Sequence, residues 1–176
     1  MPLASNATSF KSMELRQVTE HDLEAIRSIY NHEVVNSTST FDLRPRTSEE
    51  QKLWFDTHVG AYVAVVAFLT GAAFEVVGFG SLSPYRERPA YRGTAEVSVY
   101  VHHSHKRKGI GQAILNELVK NAQQHGFHTL IARVSGPNDA SHALFMALGF
   151  EKVGVEKAVG RKFNKWLDCA IYQKML

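Results

Sequence analysis

The residues best suited to chemistry in this chain are Lys106-Arg107-Lys108-Gly109-Ile110-Gly111, a run of cations leading into a pair of glycines. Shortly before it lies Glu96-Val97-Ser98-Val99-Tyr100-Val101, with Val97, Val99 and Val101 alternating as on one face of a half-buried strand. After it, Ile110, Ile114, Leu118 and Ala122 recur at helical spacing, and Gly126 is a stop. Strand, glycine loop and helix in this order suit an anion. The glycines let the backbone approach closely, and the first-turn amides of the helix, lacking intrahelical partners, point at the ligand. Lys106, Arg107 and Lys108 add positive charge where a polyphosphate would lie. A basic run taken alone is ordinarily a solvated loop; its position between strand and helix turns the reading towards a nucleotide. Neither Gly-x-Gly-x-x-Gly nor Gly-x-x-x-x-Gly-Lys-Ser/Thr is present, so the nucleotide is bound in another way.

Glu96 is the candidate base. A carboxylate at the start of a largely apolar strand is partly desolvated, which raises its proton affinity and suits it to take a proton from an ammonium group. The competing reading is a strand-end carboxylate paired with Arg92 or Arg86. Asn138 and Ser141 fit the N-cap and first turn of a short helix. Arg86 and Arg88 lie in a loop stiffened by Pro84 and Pro89, where guanidinium forks either grip an anionic group or face solvent. Tyr30, Phe41 and Tyr91 either wall a pocket or belong to the core. In His102-His103-Ser104-His105 adjacent side chains point to opposite sides and no second ligand group has a clear spacing, so no metal is expected. Cys169 is the only cysteine, which excludes an intramolecular disulfide, and its apolar surroundings predict a buried strand thiol rather than a nucleophile.

These residues together resemble the GCN5-related N-acetyltransferase superfamily, whose Arg/Gln-x-x-Gly-x-Gly/Ala signature is met by Lys106 to Gly111 with a conservative change at Lys106. A longer set resembles the branch that acetylates phosphinothricin and methionine sulfoximine. It comprises Ile29-Tyr30-Asn31-His32, Ser39-Thr40-Phe41-Asp42, Tyr91-Arg92, the strand from Glu96, Pro137-Asn138-Asp139-Ala140-Ser141, Ala147-Leu148-Gly149-Phe150, Val159-Gly160-Arg161-Lys162-Phe163 and Trp166-Leu167-Asp168. The resemblance leaves only about the first dozen residues outside. It implies acetyl-CoA as cosubstrate, with contacts from Val99, Tyr100, Val101, Arg107, Lys108, Gly109, Ile110, Gly111, Gln112, Asn138 and Ser141. Backbone groups of Val99 to Val101 would pair with the pantetheine arm and polarise the thioester carbonyl. Glu96 would be the base, and Arg86, Arg88, Tyr30 and Phe41 would join it around the acceptor. A homodimer with the acceptor site near its interface is also implied. Phe145 departs from the Tyr or His of relatives and cannot donate a proton. Water, His142 or no acid at all must serve, and a thiolate is already a tolerable leaving group.

The rest of the chain is read as what positions these groups. A chain of 176 residues, 44% hydrophobic and 21% charged, predicts one globular domain over 13–176 behind a mobile extension, 1–12. The net charge of +3 is mild and the basic residues are not interleaved with aromatic platforms, so no nucleic acid is expected. No apolar run suggests a membrane span or signal peptide, which predicts a cytoplasmic enzyme. Strands are predicted at 15–18, 62–69, 74–82, 95–101, 129–134, 152–155 and 167–174, with a turn at Thr70-Gly71-Ala72. Helices are predicted from Thr19, from Thr47 with Glu50 as its capping partner, over the run after Gly109, and over 139–148. This is a mixed α/β pattern; with the resemblance it predicts a twisted, mostly antiparallel sheet of about seven strands with helices on both faces. The expected activity is direct transfer of acetyl, within a ternary complex, to the α-amino group of a small amino acid analogue: phosphinothricin, methionine sulfoximine or methionine sulfone. The alternatives are the same chemistry on a protein N-terminus or polyamine, and a non-catalytic acyl-CoA sensor.

Overall fold

The computed structural model describes residues 12–71 and 74–176. Its elements run β1 (Ser12–Gln17), α1 (Leu23–Asn36), α2 (Ser48–Thr57), β2 (Ala64–Thr70), β3 (Glu75–Pro84), β4 (Thr94–Val101), α3 (Ile110–Gln124), β5 (Thr129–Ser135), α4 (Asp139–Ala147), β6 (Glu151–Lys162) and β7 (Lys165–Met175). The strands form one sheet in the order β1-β2-β3-β4-β5-β7-β6, antiparallel at every junction but β4 with β5. The class is mixed α/β, with helices on both faces.

Side-chain alternation decides what each face carries. Val97, Val99 and Val101 of β4 look towards α3, whose Ile110, Ile114, Leu118 and Ala122 are all buried in the larger core, joined there by Phe145 of α4. On the opposite face Phe79 and Tyr100 meet Ile26, Ile29, Tyr30 and Val34 of α1. That second face also buries polar groups, among them Asp22, Glu33 and Thr40, so it is the one able to hold a charged site.

The predicted capping at Thr47 is present, with Thr47 Oγ1 accepting from the Glu50 amide at 3.2 Å and Glu50 accepting from the Thr47 amide at 2.9 Å. Thr19 opens a short 3-10 turn, Glu20–Asp22, before α1 begins. The clearest departure is β6, which the apolar pattern predicts only over 152–155. It is an edge strand with mostly exposed side chains, and its pairing shifts between Glu156 and Gly160, so no period-two apolar signal marks its second half. The extension predicted at 1–12 lies outside the described residues except for Ser12, which opens β1, and Ala72 of the predicted turn lies outside them too.

Candidate active site

The site begins where the sheet splits. β4 is paired with β3 from Ala95 opposite Pro84 to Val101 opposite Gly78, but with β5 only from Thr94 opposite Thr129 to Glu96 opposite Ile131. Beyond Glu96 the two parallel strands diverge. The edge of β4 over 97–101 is left facing a cavity of about 840 Å³, across which lie Val134 and Ser135 of β5. Peptide groups on such an edge are available to an extended ligand in the way they would be to another strand.

One end of the cavity is the start of α3. Gly109 caps the helix at φ 77°, a left-handed conformation that glycine adopts without penalty, and Gly109, Ile110, Gly111 and Gln112 all line the cavity. Unpaired first-turn amides at such a place suit a pyrophosphate. Arg107 lines the cavity as well. Lys106 does so while its Nζ donates to the buried Glu33 at 2.8 Å. Burial pushes the Glu33 carboxyl up, but the bonds from Lys106 and Ser37 prevail and hold it below the usual carboxylate range. Lys108 is exposed and not brought to the cavity; its Nζ reaches the Ser104 carbonyl at 3.4 Å. Asn138 caps α4, its Oδ1 accepting from the Ser141 amide at 3.1 Å, and both residues line the cavity.

The other end is built on the polar face of the sheet. Glu96, Arg133 and Cys169 line it, and Glu156 stands behind Arg133 in an ion pair with it. Burial raises the proton affinity of Glu96; the Arg133 charge opposes this and the Glu156 charge adds to it. The cation whose charge acts on Glu96 is thus Arg133 on the neighbouring strand, and among the described residues no ion pair joins Glu96 to Arg92 or Arg86. Burial likewise pushes the Cys169 thiol up. A loop crosses this end, tied by Ser135 Oγ to the Thr38 carbonyl at 2.6 Å, by Asn138 Nδ2 to Ser39 Oγ at 3.2 Å, and by buried Lys162 Nζ to the Thr40 carbonyl at 2.8 Å. Phe41 of this loop lines the cavity and lies against Gly160, where a Cβ would come within 2.6 Å of its ring.

Several sequence-selected residues are placed elsewhere. Arg86 is exposed over the rings of Tyr85 and Tyr91, within reach of the Glu156 charge, and Arg88 precedes the short turn Pro89–Tyr91; neither lines the cavity. Tyr30 stands behind the wall. Its ring packs edge-on to Tyr100, its hydroxyl bonds Thr40 at 2.9 Å and Asp42 at 2.7 Å, and burial with the Asp42 bond pushes its pKa up to about 12. Phe145 lines the cavity as part of a buried aromatic set with Phe150 and Tyr172. His142 bonds the Tyr172 hydroxyl at 2.8 Å and does not line the cavity. The histidine run forms ring stacks, His102 on His103 and His103 on His32. Among the described residues no group of three His, Cys, Asp or Glu is arranged to hold a metal, and no helix is long and apolar enough to cross a membrane. Sequence reasoning passed over Arg133 and Glu156. The available signal was a charge inside the apolar run Leu130-Ile131-Ala132-Arg133-Val134.

A divided parallel pair, a glycine-capped helix at one end of the gap and a buried carboxylate at the other define an acyltransferase-type site. The acetyltransferase (GNAT) domain family matches residues 15–171. The chain is 37% identical over 163 residues to the L-methionine sulfoximine/L-methionine sulfone acetyltransferase of Pseudomonas aeruginosa, covering 92% of this chain and 94% of that one. Among solved structures it resembles a GNAT phosphinothricin acetyltransferase from Sinorhizobium meliloti in complex with acetyl-CoA, at TM-score 0.88 and 39% identity over 93% of this chain and 88% of that one. It also resembles a ribosomal-protein-alanine N-acetyltransferase from Brucella melitensis, at TM-score 0.87 and 35% identity over 93% and 99%. The chain belongs to the GNAT acetyltransferase family. It is an acetyl-CoA-dependent N-acetyltransferase.

Proposed function

We propose that this enzyme acetylates the α-amino group of a small amino acid analogue, with methionine sulfoximine, methionine sulfone and phosphinothricin as acceptors, by direct transfer in a ternary complex. The observation that carries this reading is a single cavity joining a free strand edge and a helix N-terminus to a carboxylate whose proton affinity burial has raised. Acetyl-CoA supplies an activated acetyl thioester. The first-turn amides of α3 with Arg107 suit its pyrophosphate, and the edge over 97–101 suits its amide-bearing arm and offers donors for the thioester oxygen. Glu96 takes the proton of the acceptor's ammonium, leaving a neutral amine able to attack. Direct transfer is supported by Cys169: the one thiol at the site is 2% exposed with its pKa raised, which makes it a poor nucleophile. Phe145 cannot protonate the leaving thiolate, and none is required.

A homodimer is supported by the exposed apolar residues Val159, Phe163 and Trp166 on the β6–β7 hairpin, each at least half exposed. We place the enzyme in the cytoplasm, where acetyl-CoA is available. The test is acetyl-CoA-dependent thiol release against methionine sulfoximine, methionine sulfone, phosphinothricin, ordinary amino acids, polyamines and a peptide N-terminus. Selective turnover of the first three supports the reading. Turnover only of the polyamines or the peptide overturns the acceptor, and acetyl-CoA binding without turnover of any amine would favour a sensor.

A further inference from the structure

We infer that Arg133, held in place by Glu156, is the residue that recognises the acceptor's carboxylate. This rests on the amino acid reading above. Arg133 lies on β5 two residues beyond Ile131, the register partner of Glu96, so both side chains leave the same face of the sheet. They stand where β4 and β5 part, one charge on each side of the opening, and both line the cavity. An α-amino acid carries its ammonium and carboxylate on one carbon. With the ammonium at Glu96, a carboxylate directed towards β5 meets Arg133.

The other cations lining the cavity are spent or distant. His105, Lys106 and Arg107 belong to the α3 end, where Lys106 already bonds Glu33 and His105 bonds Glu75. Lys162 is not among the lining residues, and its Nζ donates to the Thr40 carbonyl. Arg133 is therefore the cavity cation on the Glu96 side, with its side chain 31% exposed. Its Nη2 donates to Glu156 on β6. A guanidinium has about five N–H donors in a rigid fork, so the bond to Glu156, with a further one to the Cys169 sulfur, fixes the group's orientation and leaves donors for a second anion. Glu156 thus acts as a positioning residue.

The experiment compares methionine sulfone with its carboxamide, an acceptor with the same amine and no carboxylate, on the wild type, Arg133→Gln and Arg133→Lys. The wild type should show a KM for the free acid about 10- to 100-fold below that for the amide, the worth of one charge-assisted hydrogen-bonding group. Arg133→Gln should raise the KM of the acid by a similar factor and leave the amide within about threefold, while Arg133→Lys, keeping charge without the fork, should fall between. An unchanged KM for acetyl-CoA shows that the variants are folded. Equal effects on acid and amide, or none, would overturn the inference while the acceptor reading stands, since the wild type still turns over the free acid. If the wild type acetylates neither compound but does acetylate polyamines or the peptide, the acceptor reading fails and the inference falls with it. Equal wild-type KM for acid and amide also overturns it, and needs no variant.

Discussion

The two ends of the cavity are made in different ways. The α3 end comes mostly from one stretch, 97–112, and presents largely backbone: a strand edge, a left-handed glycine and the first turn of a helix. The Glu96 end draws on β4, β5, β6, β7 and the loop after α1, and presents side chains held by partners, side chain or backbone, at long sequence separations. Backbone recognition suits a cosubstrate whose chemistry is shared by a whole family, because it survives change in side chains. Side-chain recognition suits an acceptor that differs among relatives. The comparison predicts that damage at one end should leave the kinetic constants of the other end largely unmoved.

The largest effect is expected at Glu96. Glu96→Gln should lower kcat by about 10²- to 10⁴-fold, the usual contribution of a general base, with the KM for acetyl-CoA unchanged. The pH profile carries the same information. A base must be unprotonated, so activity is present above its pKa and lost as pH falls through it. Because burial raises that pKa, the acidic limb of kcat/KM in the wild type should lie above the usual carboxylate range and vanish in Glu96→Gln. A limb at the ordinary carboxylate position would show that Glu96 is solvated and is not the base.

The opposite end is broken by Gly109→Val. A Cβ at Gly109 meets nothing within 4 Å, so the cost is purely conformational, a β-branched residue held at φ 77°. Left-handed backbone costs about 1–2 kcal/mol for such a residue, and relief of that strain would misdirect the first-turn amides of α3. The KM for acetyl-CoA should rise about tenfold, the equivalent of about 1.4 kcal/mol, with the KM of the acceptor unchanged. Smaller again is Gly160→Ala, which forces the Phe41 ring from its seat and should raise the acceptor KM about threefold, while overpacking costs about 1–3 kcal/mol of stability. Steady-state titration of both substrates checks each variant; acceptor and cosubstrate constants moving together would remove the distinction between the ends.

The same contrast explains what could be read in advance. The α3 end is local, so alternating Val97, Val99 and Val101, the loop at Gly109 and the period from Ile110 to Ala122 mark its strand, loop and helix in the sequence, while the parting of β4 and β5 depends on two strands distant in sequence. Glu96 was visible as a carboxylate at the mouth of an apolar strand. Its surroundings were not. The Arg133–Glu156 pair joins residues 23 apart in sequence, and its second member lies on the part of β6 whose register shifts and whose side chains face solvent. Arg86 and Arg88 have suitable chemistry and lie close to Glu96 in sequence, but they stand on the exposed β3–β4 loop and do not line the cavity. Short spacing is legible where local backbone lines the cavity, whereas side chains brought in from distant strands leave no local pattern.

The smallest predicted change tests whether the two ends respond to stability as such. Thr47→Ala removes the side-chain acceptor of the α2 cap, far from both ends, and leaves the Glu50 amide without its bond. Loss of such a cap costs about 1 kcal/mol, which for a domain of this size lowers Tm by about 2–4 °C. Neither KM nor kcat at a temperature well below Tm should move. α2 lines neither end of the cavity, so a kinetic effect would have to pass through Arg46, which neighbours Thr47 and packs over the Tyr30 ring at 4.0 Å. Tyr30 in turn bonds Thr40 in the loop that crosses the Glu96 end. An altered acceptor KM in Thr47→Ala would therefore show that the Glu96 end reaches beyond its lining residues into the second core, while an unchanged one confines it to the side chains that meet in the wedge.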